Sequence, residues 1–329
     1  MSFEVAFKTT EKMKDKLHIV LLCATPRGYR FAKKLAELLP AADLTVFSFN
    51  EENGEPRFLE DLRQFTLTAG GRFFEGKQVG AQQFKAFWEA TPFDLMFAVN
   101  WRYMVPAEIY SRARLGAFVF HDSLLPEYRG FSPVVWAMVN GEDHTGVTLF
   151  EMAEKVDAGD IIGQVRIAIG RDDTITVVME RVTQAYLELL EQNLAPLLEG
   201  AASRYPQDHS HATFTCKRID EDNQIDWTAC SEQIHNLIRA VTMPYPGAYT
   251  YLMGKKLRIW SAQRVFDYQN YIGRIAGRVV EVHPGKGSVV LTGDGALLLT
   301  RAQLEGGDLV CAADILNRIT QTLGQQAKF

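Results

Sequence analysis

The sequence predicts an α/β chain: a mostly parallel, Rossmann-like sheet with helices on both faces, followed by a small C-terminal β-barrel of OB-like form. Three observations carry this expectation. Continuous apolar runs at 17–23 (LHIVLLC), 93–99 (FDLMFAV) and 115–121 (LGAFVFH) lack polar alternation, as strands covered on both faces do. Segments of helical spacing stand between the strands, which calls for parallel strands joined by right-handed crossovers. Beyond residue 214 the texture changes to short strand patterns punctuated by Gly and Pro.

Taken in order, residues 1–16 (MSFEVAFKTTEKMKDK) form a polar N-terminal extension. The 17–23 strand is followed by Gly28 and by a helix over 29–39, with Phe31, Leu35 and Leu38 at apolar spacing. LTVFSF at 44–49 is a second strand, and helical patterns cover 58–65 and 81–90. After the strands ending at Val99 and His121 come a Pro- and Gly-punctuated loop and a helix over 132–140. TGVTLFEM at 145–152 alternates as a strand does, 160–169 reads as a Gly-interrupted strand, and a long helix over 174–198 closes a first domain of 17–200. A polar linker spans 201–213, and the second domain spans 214–329. Within it Ser231 is a good N-cap for a helix to about residue 241. Strands are expected at 248–252, 255–261, 275–282, 288–292 and 296–303, with a terminal helix over 314–323.

A chain of 329 residues is long enough for two cores. Its 47% apolar and 23% charged residues are ordinary for a globular protein, and a formal net charge of −5 argues against a broad nucleic-acid surface. Cys23, Cys216, Cys230 and Cys311 are scattered without metal-type pairing, so free thiols in a reducing compartment are expected. His209 and His211 form an isolated H-x-H, too few ligands for a metal, and no metal is expected. The polar start is unlike a secretory signal and no apolar run reaches ~18 residues, so the expectation is a soluble cytoplasmic protein with no membrane partner. A homodimer is left open.

In open α/β sheets ligands bind outside the carboxyl ends of the strands. Asn100 and His121 stand at two such ends, and Asp157 lies in a turn after another strand (KVDAGD, 155–160), so the three can converge on one crevice. An imidazole can donate a hydrogen bond to a developing oxyanion or carry a proton, and a nearby carboxylate favours its protonated form. The loop CATPRGYR at 23–30 leads into a helix N-terminus and could hold an anion, but spells neither a dinucleotide fingerprint nor a P-loop. Arg129 has a planar fork suited to phosphate or carboxylate, or to a structural ion pair.

The run HDSLLPEYRGFSPVVWAMVNGEDHTGVTLFEMAEKVDAGDII at 121–162 resembles the folate-dependent formyltransferases, a family that includes methionyl-tRNA formyltransferases, glycinamide ribonucleotide transformylases and amino-sugar N-formyltransferases. IDW at 225–227, HNLIRAV at 235–241, PYPGAY at 244–249 and LRIWSA at 257–262 are most similar to the formyltransferase domain that modifies UDP-4-amino-arabinose. The resemblance covers roughly 17–303 and makes 17–200 the catalytic domain. It implies N10-formyltetrahydrofolate as co-substrate, with the pterin near Trp101, Arg102, Tyr103, Met104 and Val105 and near Ala153 and Val156. It implies His121 as oxyanion donor and Asp157 as the carboxylate that orients it and helps remove the proton; Ser123, Leu124 and Arg129, in the loop after His121, are the candidate acceptor-binding residues.

One position departs from the family pattern. The asparagine expected two residues before the histidine is Val119, which cannot donate a hydrogen bond. Loss of such a donor, uncompensated, is worth ~10²–10³ in rate. Asn100, a water or a backbone N–H can take its place; otherwise the chain is a folate- or sugar-binding relative without catalysis. Among acceptors, the acidic balance and the second domain favour a nucleotide-linked amino-sugar. The linker AASRYPQDHSHAT at 201–213 has little charge with which to track tRNA, and the length argues against glycinamide ribonucleotide.

Overall fold

The computed structural model describes residues 16–51 and 57–324; the N-terminal extension lies, but for Lys16, outside the described residues. The chain divides into two compact units. One takes the described residues up to His121 with Thr148–Gln164 and Tyr186–Gln207; the other takes Asp122–Val147, Val165–Ala185 and the described residues from Asp208 on.

Fifteen strands and eight α-helices are formed by the described residues. The first strands are β1 (His18–Cys23), β2 (Asp43–Ser48), β3 (Arg72–Glu75), β4 (Leu95–Val99) and β5 (Gly116–His121). They are followed by β6 (Arg129–Gly130), β7 (His144–Glu151) and β8 (Ile161–Ala168). A seven-stranded sheet has the order β3-β2-β1-β4-β5-β7-β8. The pairs β1–β2, β2–β3, β1–β4 and β4–β5 are parallel, and β7 runs antiparallel to β5. All residues of β1 and of β4 are buried, which is why these strands read as unbroken apolar runs.

Helix α1 (Thr25–Leu38) connects β1 to β2, and α2 (Leu59–Thr68) precedes β3. The chain then returns past α3 (Lys85–Ala90) to lay β4 on the opposite side of β1. That reversal makes the carboxyl ends of β1 and β4 a topological switch point, where crevices form in open sheets. Beneath it Phe47 stacks on Trp88 at 5.1 Å, within a core that also holds Met96 and Ala98. The short α4 (Ala107–Tyr110) follows β4.

Several expected elements differ in the structure. Helix α1 begins at Thr25, not residue 29, because Pro26 suits a first helical turn. β3 escaped prediction: it is a four-residue strand at the end of the sheet order, with exposed ends and no apolar run. The expected helix over 81–90 starts as a 3₁₀ turn at Gln82–Phe84.

In the second unit, α5 (Pro133–Asn140) packs against α7 (Ser231–Val241), and α7 packs against the C-terminal sheet. The helix α6 (Ile175–Leu198) has residues in both units. β9 (Phe214–Thr215) pairs with β6. The C-terminal sheet contains β10 (Ala248–Leu252), β11 (Lys255–Arg264), β12 (Val279–His283), β13 (Gly287–Leu291), β14 (Ala296–Leu304) and β15 (Leu309–Cys311). Its order is β10-β11-β14-β13-β12 with β15 on β14, all pairs antiparallel.

Ser231 is the first residue of α7 rather than its N-cap; its hydroxyl is taken by Thr292 at 2.8 Å and Asp294 at 3.1 Å, tertiary partners that displace the local cap. The strand expected at 275–282 starts at Val279, since Gly277 at φ +81° turns the chain just before it. The terminal helix is only α8 (Ala312–Ile315). Leu316 and Leu323 are buried, and Ser288 Oγ donates to the Leu316 carbonyl at 2.6 Å, so tertiary contacts replace further helical turns.

Candidate functional site

The β4–β5 register sets Val99 beside Phe120, so the next residues, Asn100 and His121, leave neighbouring strands at the carboxyl edge. His121 is 9% exposed. Its Nδ1 lies 3.7 Å from Asp157 Oδ2, both side chains being mostly buried. That separation exceeds a hydrogen bond by ~0.8 Å, so a small movement of either residue closes it.

Asp157 is carried by the turn between β7 and β8 and has φ +50°, a left-handed conformation that aspartate adopts more readily than most residues. Two residues on, Gly159 is compulsory: a Cβ there would meet the Glu151 carbonyl oxygen at 1.8 Å. Glu151 N–H donates to the Asp160 carbonyl at 2.9 Å, and Met152 N–H donates to Ala117 at 2.8 Å, fixing the base of the turn to β5. The sequence places His121 and Asp157 far apart; the β5–β7 pairing brings them together.

Asn100 also has positive φ, +54°, and turns its amide toward the switch point, where Nδ2 donates to Thr25 Oγ1 at 2.8 Å. An amide carries two N–H donors, so one remains beyond this bond. Thr25 N–H in turn donates to Glu51 Oε1 at 3.3 Å, and the same oxygen accepts from Phe58 N–H at 3.1 Å. Glu51 therefore places the protein's own carboxylate at the N-terminus of α1, the point where the sequence suggested an outside anion. Neither Thr25 nor Glu51 was singled out from sequence, because a threonine and a glutamate in loops carry no spacing signal.

Val119 is half-buried and packs, with Trp101 and Met152, against the core cluster that includes Met96 and Ala98. Being two residues before His121 on β5, it faces the same side of the sheet, so apolar surface stands where the family pattern has an amide. The segment after β4 is aromatic. Trp101 lies edge-on to Phe49 at 5.3 Å and to Tyr103 at 5.8 Å, and the Arg102 guanidinium sits 5.9 Å from the Phe49 ring. Trp101 Nε1 is buried and has no hydrogen-bond partner among the described residues. Met104 and Val156 are exposed, Ala153 is half-buried and Val105 is buried in the core cluster with Met96 and Ala98.

The remaining expected residues belong to the second unit. Ser123 is buried and its hydroxyl donates to the Glu127 carbonyl at 2.6 Å, closing the loop on itself. Leu124 fits tightly over Gly146, whose added Cβ would come within 2.3 Å of it. Arg129 is buried; its Nη2 donates to His209 Nδ1 at 2.9 Å and its guanidinium lies 6.0 Å from the Phe214 ring. No group of three or more potential metal ligands occurs among the described residues, and none of their helices is long and apolar enough to cross a membrane.

Residues 8–194 match the family model described as formyl transferase, and residues 218–320 match the one described as formyl transferase, C-terminal domain. Among solved structures, the chain is similar to WlaRD, a sugar 3N-formyl transferase solved in the presence of dTDP and 5-N-formyl-THF. That match has 17% identity and a TM-score of 0.65 over 88% of this chain and 98% of the other. It is also similar to an N-formyltransferase from Helicobacter canadensis in complex with folinic acid and dTDP-3-aminofucose, at 16% identity and TM-score 0.64 over 87% and 99% of the two chains. HypX from Aquifex aeolicus in complex with tetrahydrofolic acid matches at 19% identity and TM-score 0.61 over 92% of this chain. The chain spans about half of HypX, 47% of its length. At these identities the likeness is one of fold.

Proposed function

Since the chain belongs to the formyl transferase family, we propose that it moves a formyl group from N10-formyltetrahydrofolate to the amine of a nucleotide-linked amino-sugar. The observation that carries this reading is the His121–Asp157 pair, 3.7 Å apart at the carboxyl edge of the sheet beside the switch point. The acceptor nitrogen attacks the formyl carbon and the bond from that carbon to folate N10 breaks. His121 donates to the oxygen on which negative charge develops, a contribution of about 3–4 kcal/mol for a preorganised donor. Asp157 orients His121 and takes the proton released by the amine, directly or through water, and N10 leaves protonated.

The aromatic segment of Trp101 and Tyr103, with its unpartnered buried indole N–H, suits a flat heterocycle that has both a face to cover and an acceptor to satisfy. Ala153 and Val156 complete the same wall in this reading. The amino-sugar is favoured by two solved relatives whose ligands are dTDP or a dTDP-amino-sugar and whose length this chain nearly matches. A net charge of −5 weighs against an initiator-tRNA acceptor. We take the C-terminal antiparallel sheet to be the OB-like barrel of the longer family members.

The test is incubation with N10-formyltetrahydrofolate and a panel of nucleotide-linked amino-sugars, following tetrahydrofolate release. Turnover on at least one sugar is expected. Formylation of methionyl-tRNA with none on sugars would replace the acceptor. Folate binding without turnover on any amine would favour the second reading, a binding protein, for which the apolar surface at Val119 is the specific observation.

A further inference from the structure

We infer that Gln207, in the segment that joins the two family-matched regions, is a positioning residue for the transfer: its amide holds the turn that presents Asp157 to His121. The inference rests on the proposed roles of that pair and adds a residue to which the sequence assigned nothing but a place in a linker.

Gln207 is 7% exposed. Its Nε2 donates to the Asp157 carbonyl at 3.0 Å and to the Gly159 carbonyl at 2.7 Å. Both amide hydrogens are therefore spent on the two carbonyls that flank Ala158, at the crest of the turn. The turn needs such a clamp. Asp157 is held at φ +50°, a left-handed conformation unfavourable for most L-residues, and the buried carbonyls of a turn call for hydrogen-bond donors.

The clamp is itself anchored on both sides of the turn. Tyr205 and Ile161 exchange backbone hydrogen bonds of 2.8 and 2.9 Å, pinning the segment to the strand that leaves the turn. Arg204 Nε donates to Glu151 Oε1 at 2.6 Å, pinning it to the strand that enters. Gln207 thus reaches the turn from backbone whose own position is fixed on the same strands. A merely space-filling residue would not need two donors aimed at two carbonyls.

The consequence is geometric. His121 and Asp157 stand 3.7 Å apart, where a displacement of ~1 Å decides between a hydrogen bond and no contact. Displacements of that size are worth ~10²-fold in rate when they misplace a reacting group. Gln207→Met keeps the length and bulk of the side chain and removes both donors.

The decisive measurement is a pair of crystal structures, wild type and Gln207→Met. The turn should relax and the His121–Asp157 separation should change by ~0.5 Å or more; an unchanged separation overturns the inference. Alongside it, tetrahydrofolate release from N10-formyltetrahydrofolate is followed with the panel amine that wild type uses best. The expected result is a fall in kcat of ~10- to 100-fold with the KM of both substrates within about twofold. Gln207→Glu serves if the methionine variant does not fold, because it is isosteric and its deficit relative to wild type should shrink as falling pH returns a donor.

A double-mutant cycle separates this inference from the reading beneath it. In an Asp157→Asn background the methionine substitution should add little, and an undiminished fall there means that Gln207 acts elsewhere. Full activity of Asp157→Asn itself would instead remove Asp157 from the chemistry, while leaving the structural clamp to be judged from the crystal structures.

Discussion

In the proposed transfer Val119 offers no amide to the developing oxyanion, and we propose Asn100, at the end of the neighbouring strand, as the replacement donor. Its Nδ2 already serves Thr25 at 2.8 Å, which orients the amide and leaves one N–H over. Asn100→Ala is expected to lower kcat at least tenfold, and Val119→Asn in that background should restore part of it, since a single oxyanion donor is worth ~10²–10³ in rate. Thr25→Val is the control: it removes the anchor but not the donor, and should cost less than Asn100→Ala. Equal losses in the two variants would make Asn100 a bridge between strand ends and nothing more. Both experiments read tetrahydrofolate release at saturating acceptor.

The turn between β7 and β8 joins sequence to chemistry at the scale of the element. Gly159 has no room for a side chain, because its Cβ would lie 1.8 Å from the Glu151 carbonyl oxygen. Gly159→Ala should therefore shift backbone rather than a side chain, with a loss of about 3–5 kcal/mol by chemical denaturation. A change under ~1 kcal/mol would show that the turn tolerates repacking. The same element shows how far the sequence could be read. Long apolar runs announced β1, β4 and β5, because a strand buried on both faces has no polar alternative. Strand ends alone gave the expectation that Asn100, His121 and Asp157 share one edge; the structure sets His121 Nδ1 3.7 Å from Asp157 Oδ2, while the Asn100 amide is bonded to Thr25. The clamp did not, since a lone glutamine in a polar stretch has no period and no motif, and its partners are main-chain carbonyls contributed by a turn distant in sequence. β3 and α8 were misread for a related reason: short elements are set by the sheet they join more than by their own residues.

At the scale of the whole molecule, each unit contains a histidine that burial holds neutral, which gives the fold a pH dependence with a definite sign. In the first unit His18 donates from Nδ1 to the Pro92 carbonyl at 2.8 Å, while Nε2 accepts from Thr45 Oγ1 at 2.9 Å with Arg72 at 3.2 Å. Protonation would turn Nε2 into a donor facing the Arg72 guanidinium, which can only donate. Burial lowers its pKa first, the Pro92 bond opposes this, and the Arg72 charge lowers it further. In the second unit His235, on α7, is lowered by burial and then by the charges of Arg264 and Arg239, against weaker opposing effects of Glu232 and Asp172. An unfolded histidine takes up its proton near pH ~6.5, and these two do so lower. As pH falls below that value the unfolded chain holds more protons than the folded one, so stability declines until the folded histidines also protonate. Above ~6.5 their contribution is complete. The melting temperature should accordingly fall between about pH 7.5 and about pH 5, and His18→Gln or His235→Gln should reduce that fall while lowering stability at neutral pH. Thermal melts of the three proteins across this range provide the check, and a decline as steep in both variants as in wild type would assign the acid sensitivity to groups other than these histidines.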